Sequence, residues 1–238
     1  MKKIGFTLAE VLICLGIIGV IASITLPALT SNVQKQQVGP GLAKAINALE
    51  TANWLALQQY GARNMKEIAK AESGVTSYFD SVLKPYLKVT KLEAQPSNLK
   101  YKTFNFSDDY SGGANGGYYY TSQDGIGYIR PSSAGVSSVG DDVIKKLPAG
   151  YSGEYYTVFV DTNGFNKKPN AIGKDLFKLL VDTKGTVIPV GGVAHKKYTT
   201  GADSVTPDWE SSCKEDVSNA VNCAGSVIDN GAKVIYKY

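Results

Sequence analysis

The sequence is poor in the groups that most chemistry needs. It has one histidine and three cysteines in 238 residues. A zinc-finger array is excluded, and a histidine-dependent triad has a single candidate, His195 in GGVAHKKYTT. That histidine stands beside two lysines in a polar stretch and reads as a surface residue. No Gly-x-Ser-x-Gly elbow accompanies it, and no P-loop or Rossmann fingerprint occurs. No nucleophile–base set is visible, so the chain does not read as an enzyme. An excess of one charge is also missing: 25 Lys+Arg stand against 21 Asp+Glu, a net of +4. The pairs Lys167-Lys168 and Lys196-Lys197 are a weak footprint for nucleic acid, which is not an expected partner.

One absence is informative. From Val11 to Leu29 there is no charged residue, in the run VLICLGIIGVIASITLPAL. As a helix, these residues and Phe6–Glu10 before them span about 28–36 Å, the thickness of a bilayer's hydrocarbon core. Lys2 and Lys3 precede the run, so the N-terminus is expected on the cytoplasmic side and the body outside, in a single pass. The run is longer than the apolar part of a cleaved secretory signal. Gly16, Gly19, Ala22 and Ser23 allow close helix contact, and Cys14 reads as a packing residue. Glu10 is the anomaly. A carboxylate in hydrocarbon costs on the order of 2.5–3.5 kcal/mol unless it is paired, and the segment offers it no partner.

KKIGFTLAEVLICLGIIGVIASITLPAL resembles the N-terminus of the type IV pilin and pseudopilin superfamily. The resemblance covers about 30 residues, Gly5-Phe6, Thr7, Leu8, Glu10 and Pro27 among them. It implies a leader of residues 1–5, cut after Gly5 by a prepilin peptidase, and N-methylation of Phe6. It further implies a transmembrane and filament-core helix over 6–29, bent at Pro27. Glu10 then neutralises a neighbouring subunit's N-terminal ammonium and sets register during assembly. The implied place is the bacterial inner membrane, with the head extracytoplasmic and on a surface filament after assembly. The implied partners are other pilin-like subunits, the peptidase and an inner-membrane assembly platform. A type IV pilus-like subunit, a type II secretion pseudopilin and a membrane-anchored adhesin with a pilin-like N-terminus all remain open.

The remainder predicts an α+β body. Residues 30–60 continue as an amphipathic helix, with Leu42, Ile46, Leu49, Asn53, Ala56 and Tyr60 on one face. Val38-Gly39-Pro40-Gly41 predicts a kink or break there, read as a linker or as a hinge that reorients the head. Residues 61–238 form the head. Short helices are predicted over 64–72 and 76–87, the second weakened by Pro85. Strands follow at Tyr118–Thr121 and Gly127–Arg130 around an Asp124-Gly125 turn, and at Tyr155–Val160. A further pair, Leu176–Val181 and Thr186–Val190, flanks Asp182–Gly185. A loop over 191–212, a helix within Asp216–Asp229 and a last strand, Ala232–Tyr238, complete the expected head. The long helix packs on a mostly antiparallel sheet.

Two constellations in the head remain. Cys213 and Cys223 lie in the outward-facing region, where a disulfide is the default. Asp161, Asn163 and Asn166 resemble the start of a calcium loop, with Asp175 as a ligand folding back. Phe165 and Ile172 occupy the fifth and twelfth places, so the loop is not an EF-hand, and an Asx-rich turn is the alternative.

Overall fold

The computed structural model describes residues 7–71, 78–92, 94–132, 135–206, 213 and 220–234. Helix α1, Leu8–Tyr60, is a single element of 53 residues. Gly61, in the left-handed conformation that glycine adopts most readily, ends it. Then come α2 (Met65–Ala71), a π-helical turn (Tyr78–Leu83) and α3 (Lys84–Leu87). Pro85 falls in the first turn of α3, where a missing N–H costs least.

Seven strands form one sheet, all paired antiparallel. They are β1 (Val89–Lys91), β2 (Tyr118–Ser122), β3 (Gly127–Arg130), β4 (Ser137–Ser138), β5 (Glu154–Asp161), β6 (Leu176–Asp182) and β7 (Val187–Pro189). The order is β1-β2-β3-β5-β6-β7, with β4 paired to β5 beside that path. Among the described residues the further helices are α4 (Asp141–Ile144), α5 (Val193–Thr200) and α6 (Cys223–Asp229), the last preceded by a 3-10 turn, Ala220–Asn222. The architecture is therefore α+β, a long helix against a mostly antiparallel sheet.

The head half of α1 buries Val38, Leu42, Ala45, Ile46, Leu49, Ala52, Asn53 and Ala56. These positions recur every three or four residues, and each large one stabilises the contact by about 1.5–3 kcal/mol. Tyr60, expected on the same face, is exposed. Two polar contacts register the helix on the sheet. Asn53 Nδ2 donates to the Gly185 carbonyl at 3.1 Å, and Glu50 Oε1 accepts the Val187 N–H at 3.1 Å.

The expected break at Gly39-Pro40-Gly41 is absent, and the reason is packing. A Cβ on Gly39 would stand 1.7 Å from the Ala232 carbonyl oxygen, and one on Gly41 3.3 Å from Thr162 Cβ. The glycines let other chain segments touch the helix. Pro40 is exposed, and the helix continues through it. The segment 191–212, expected as a loop, contains α5, whose Tyr198 is buried against Leu180, Ile188 and Val190. The last expected strand is not formed over 232–234, and 235–238 lie outside the described residues.

Asp182, at the end of β6, holds this second cluster. Its carboxylate accepts the N–H groups of Ser152, Gly153 and Lys184, the Ser152 hydroxyl and the Tyr198 hydroxyl. Asp182→Ala leaves these buried donors unpaired and should lower unfolding free energy by about 3–5 kcal/mol. Gly39→Ala gains about 1 kcal/mol of helix propensity. It should nevertheless lose about 1–3 kcal/mol overall, because the new Cβ displaces the Ala232 backbone. Denaturant unfolding of the full chain in detergent micelles measures both.

Candidate functional site

The N-terminal half of α1 stands free of the head. Leu8–Leu26 has a mean hydropathy of 2.4, and none of it is buried within the chain. Leu12, Ile13, Leu15, Ile17, Ile18, Val20, Ile21 and Ile24 are all exposed, so the helix is apolar around its whole circumference. Such a surface fits lipid or other apolar helices and not water. Its few hydroxyls are turned inward. Ser23 Oγ donates to the Val20 carbonyl at 2.8 Å, Thr25 Oγ1 to Ile21 at 3.0 Å and Thr30 Oγ1 to Leu26 at 3.0 Å. Each polar group is satisfied by its own helix, as hydrocarbon requires. The helix continues through Pro27. Cys14 is a free thiol exposed on this surface.

Thr7 and Glu10 form a reciprocal cap at the start of α1. Glu10 Oε2 accepts the Thr7 N–H and the Thr7 hydroxyl, each at 2.9 Å. Thr7 Oγ1 accepts the Glu10 N–H at 3.3 Å. The reading of Glu10 as a carboxylate without a local partner is thereby corrected. The spacing Thr-x-x-Glu ahead of an apolar run is itself the signal of a capping box, and it was present in the sequence. Gly5 and Phe6, the expected cleavage and methylation residues, lie outside the described residues.

Cys213 and Cys223 are bonded, with Cα atoms 4.6 Å apart. Cys223 begins α6 and is fully buried. The bond ties the chain ahead of α6 to a helix that packs on α1, β6 and β7. Gly173 lies against it, where a Cβ would meet Cys223 Sγ at 2.8 Å.

The loop between β5 and β6 brings Asp161 and Asp175 together, both fully buried. Asp161 Oδ1 accepts the N–H groups of Asn163 (3.2 Å) and Gly164 (2.8 Å), and its Oδ2 accepts the Tyr101 hydroxyl at 2.6 Å. Asp175 accepts the N–H groups of Asn170 (2.6 Å) and Ala171 (2.8 Å). Asn166 is exposed and stands outside the cluster. Oδ1 of Asn163 and Oδ1 of Asn170 are buried without hydrogen-bond partners. Among the described residues no group of three acidic, histidine or cysteine side chains converges as a metal site. Asp161 closes an Asx-type turn with the residues that follow it, and Asp175 folds back onto the N–H groups of Asn170 and Ala171 at the start of its own turn.

Burial pushes the carboxyl groups of both Asp161 and Asp175 above the usual carboxylate range, and the charge of Asp175 raises Asp161 further. Burial first, then the Asp161 carboxylate, likewise holds Tyr101 well above the usual tyrosine range. His195 lies on α5 and not in a loop. Burial and then the nearby Lys178 ammonium lower its pKa, and burial lowers that of Lys178. Compared with known protein families, curated proteins and solved structures, the chain matches none.

A carboxyl group whose pKa is raised by folding stabilises the fold when protonated. That contribution is complete below the unfolded value, near pH 4, and is lost as pH rises through the raised values. Thermal unfolding of the full chain should therefore show a midpoint that falls between about pH 4 and about pH 8. Asp175→Asn should flatten that slope by relieving Asp161 of a neighbouring charge. Millimolar calcium abolishes the slope if a cation takes the place of the proton, and leaves it unchanged if hydrogen bonds alone hold the pair.

Proposed function

We propose that the chain is a structural subunit of a type IV pilus-like filament. The observation that carries this reading is the uncovered apolar half of α1, continuous as one helix with the half that the head buries. Alone in water, that surface would aggregate. In a membrane it is an anchor, and among copies of itself it is a packing surface, with Gly16 and Gly19 open to close approach. One helix then serves both states, because lipid and apolar side chains solvate it alike.

In this reading a prepilin peptidase cuts after Gly5, Phe6 is N-methylated, and the subunit waits in the inner membrane with its head outside. An assembly platform then draws it into a helical array. Glu10 has two partners over this course. In the waiting subunit it closes the cap on Thr7. In the filament it meets the ammonium of a neighbour's N-terminus, and a carboxylate–ammonium pair in low dielectric is costly to leave half-made. That cost penalises wrong axial registers. No substrate is turned over, and the product is the assembly.

Glu10→Gln separates the cap from the charge, because glutamine can still accept at that position of a capping box. Both Glu10→Gln and Glu10→Ala should remain in the membrane fraction. Both should lose at least about tenfold in filament incorporation, a difference of about 1.4 kcal/mol or more per subunit added. Immunoblots of sheared surface material against membranes measure it. A wild-type filament yield from Glu10→Gln would remove the charge from the mechanism.

A further inference from the structure

Two grooves flank the turns of α1 that follow its apolar span, and both carry lysines. One, of about 630 Å³, lies between Asn32, Lys35 and Pro40 of the helix and the segment Gly231–Val234, which brings Lys233 beside Lys35. The other, of about 320 Å³, lies between Gln34 and Gln37 of the helix and the loop bearing Asn163 and Lys167. Among the described residues, Lys35, Lys167 and Lys233 are in no ion pair. The carboxylate of the second groove, Asp124, is bound by Lys44. Three ammonium groups thus surround two turns of the helix, and the one acid lining these grooves is already neutralised.

Their height along α1 gives them a partner. The apolar span ends at Leu26, and Lys35 follows by about 13 Å of helix rise. The headgroup layer extends about 5–8 Å beyond the hydrocarbon. Lysine stems are long enough to close the remaining distance with their ammonium groups in the polar layer. Val38, the first fully covered residue of α1 among those described, stands about 18 Å of helix rise beyond Leu26, so the underside of the head begins about 10 Å, one Debye length, above the headgroup layer.

We propose that this underside is a docking surface for anionic lipid headgroups, held by Lys35, Lys167 and Lys233. Anionic lipid attracts basic side chains next to a membrane span over roughly a Debye length, about 10 Å. With contacts on two sides of the helix, the attraction fixes how far the head stands from the bilayer and how it is turned. Such docking would present the subunit in one orientation, and it would be released when the subunit leaves the lipid. The inference rests on the reading of α1 as a membrane span.

The test uses the full chain in nanodiscs of phosphatidylcholine alone or with phosphatidylglycerol. Lysines are acylated with a water-soluble ester, and the sites are read by mass spectrometry. Lys145, with its side chain 77% exposed and its segment beside the β6–β7 turn, is the internal reference. Relative to Lys145, acylation of Lys35, Lys167 and Lys233 should slow at least threefold in the anionic discs and recover in 0.5 M salt. In K35Q/K167Q/K233Q, amide exchange over 231–234 should become equal in the two lipids. Equal relative rates in both lipids, from a chain that co-purifies with the discs, would overturn the docking surface and leave the membrane span standing. A chain that enters neither disc overturns both.

Discussion

Backbone hydrogen bonding decides which part of this chain can leave the head. An N–H or C=O without a partner is costly outside water, and an α-helix is the only single segment that pairs its own. Among the described residues, the 53 of α1 therefore form the one element able to run from the folded head into an apolar surrounding. Everything else is arranged around its second half. The sheet packs against it through Asn53 and Glu50, and the C-terminal segment and the β5–β6 loop reach it at Gly39 and Gly41. The two halves obey opposite rules on one continuous backbone. Val38–Ala56 shows an amphipathic stripe, and Leu8–Leu26 is apolar all round.

The parts of the fold set by neighbours in sequence were legible from it. The β2–β3 and β6–β7 hairpins stand where Asp124-Gly125 and Asp182–Gly185 predicted them, and Gly125 and Gly185 take the positive φ values those turns require. The stripe from Leu42 to Ala56 was equally clear, because a 3.6-residue period is a property of the segment alone. The misreadings have one cause. Gly39-Pro40-Gly41 looks like a break because glycine is flexible and proline lacks a donor, but a glycine demanded by the close approach of Ala232 has the same letter. Likewise α5 is polar along its length, and it is held by Tyr198, which enters a small cluster and bonds Asp182. Neither contact partner is near in sequence.

The candidate site divides the same way. The apolar run is legible as a pattern and the cysteine pair from its outward-facing location, whereas the Thr-x-x-Glu cap, though present in the sequence, is masked by the apolar motif it opens. The pairing of Asp161 with Asp175 was legible as a loop of oxygen-bearing side chains, but its character was not. Whether such oxygens face a cation or backbone N–H groups depends on how the loop closes. Here Tyr101, from another part of the chain, takes one oxygen of Asp161, and four loop N–H groups take much of what remains. Two amide oxygens of the same loop, Oδ1 of Asn163 and Oδ1 of Asn170, stay without partners.

The disulfide and the buried aspartates lie in the head, away from the part of α1 that would join copies. That separation has a mechanical meaning. If axial register is set by Glu10 at the far end of the helix, an error in head packing reaches it only through a stiff rod. A break at residues 39–41 would have uncoupled the two ends. With α1 continuous through these residues, the head and the apolar half share one helical backbone. The close contacts at Gly39 and Gly41, which fasten the head to the helix just above the apolar span, maintain that coupling.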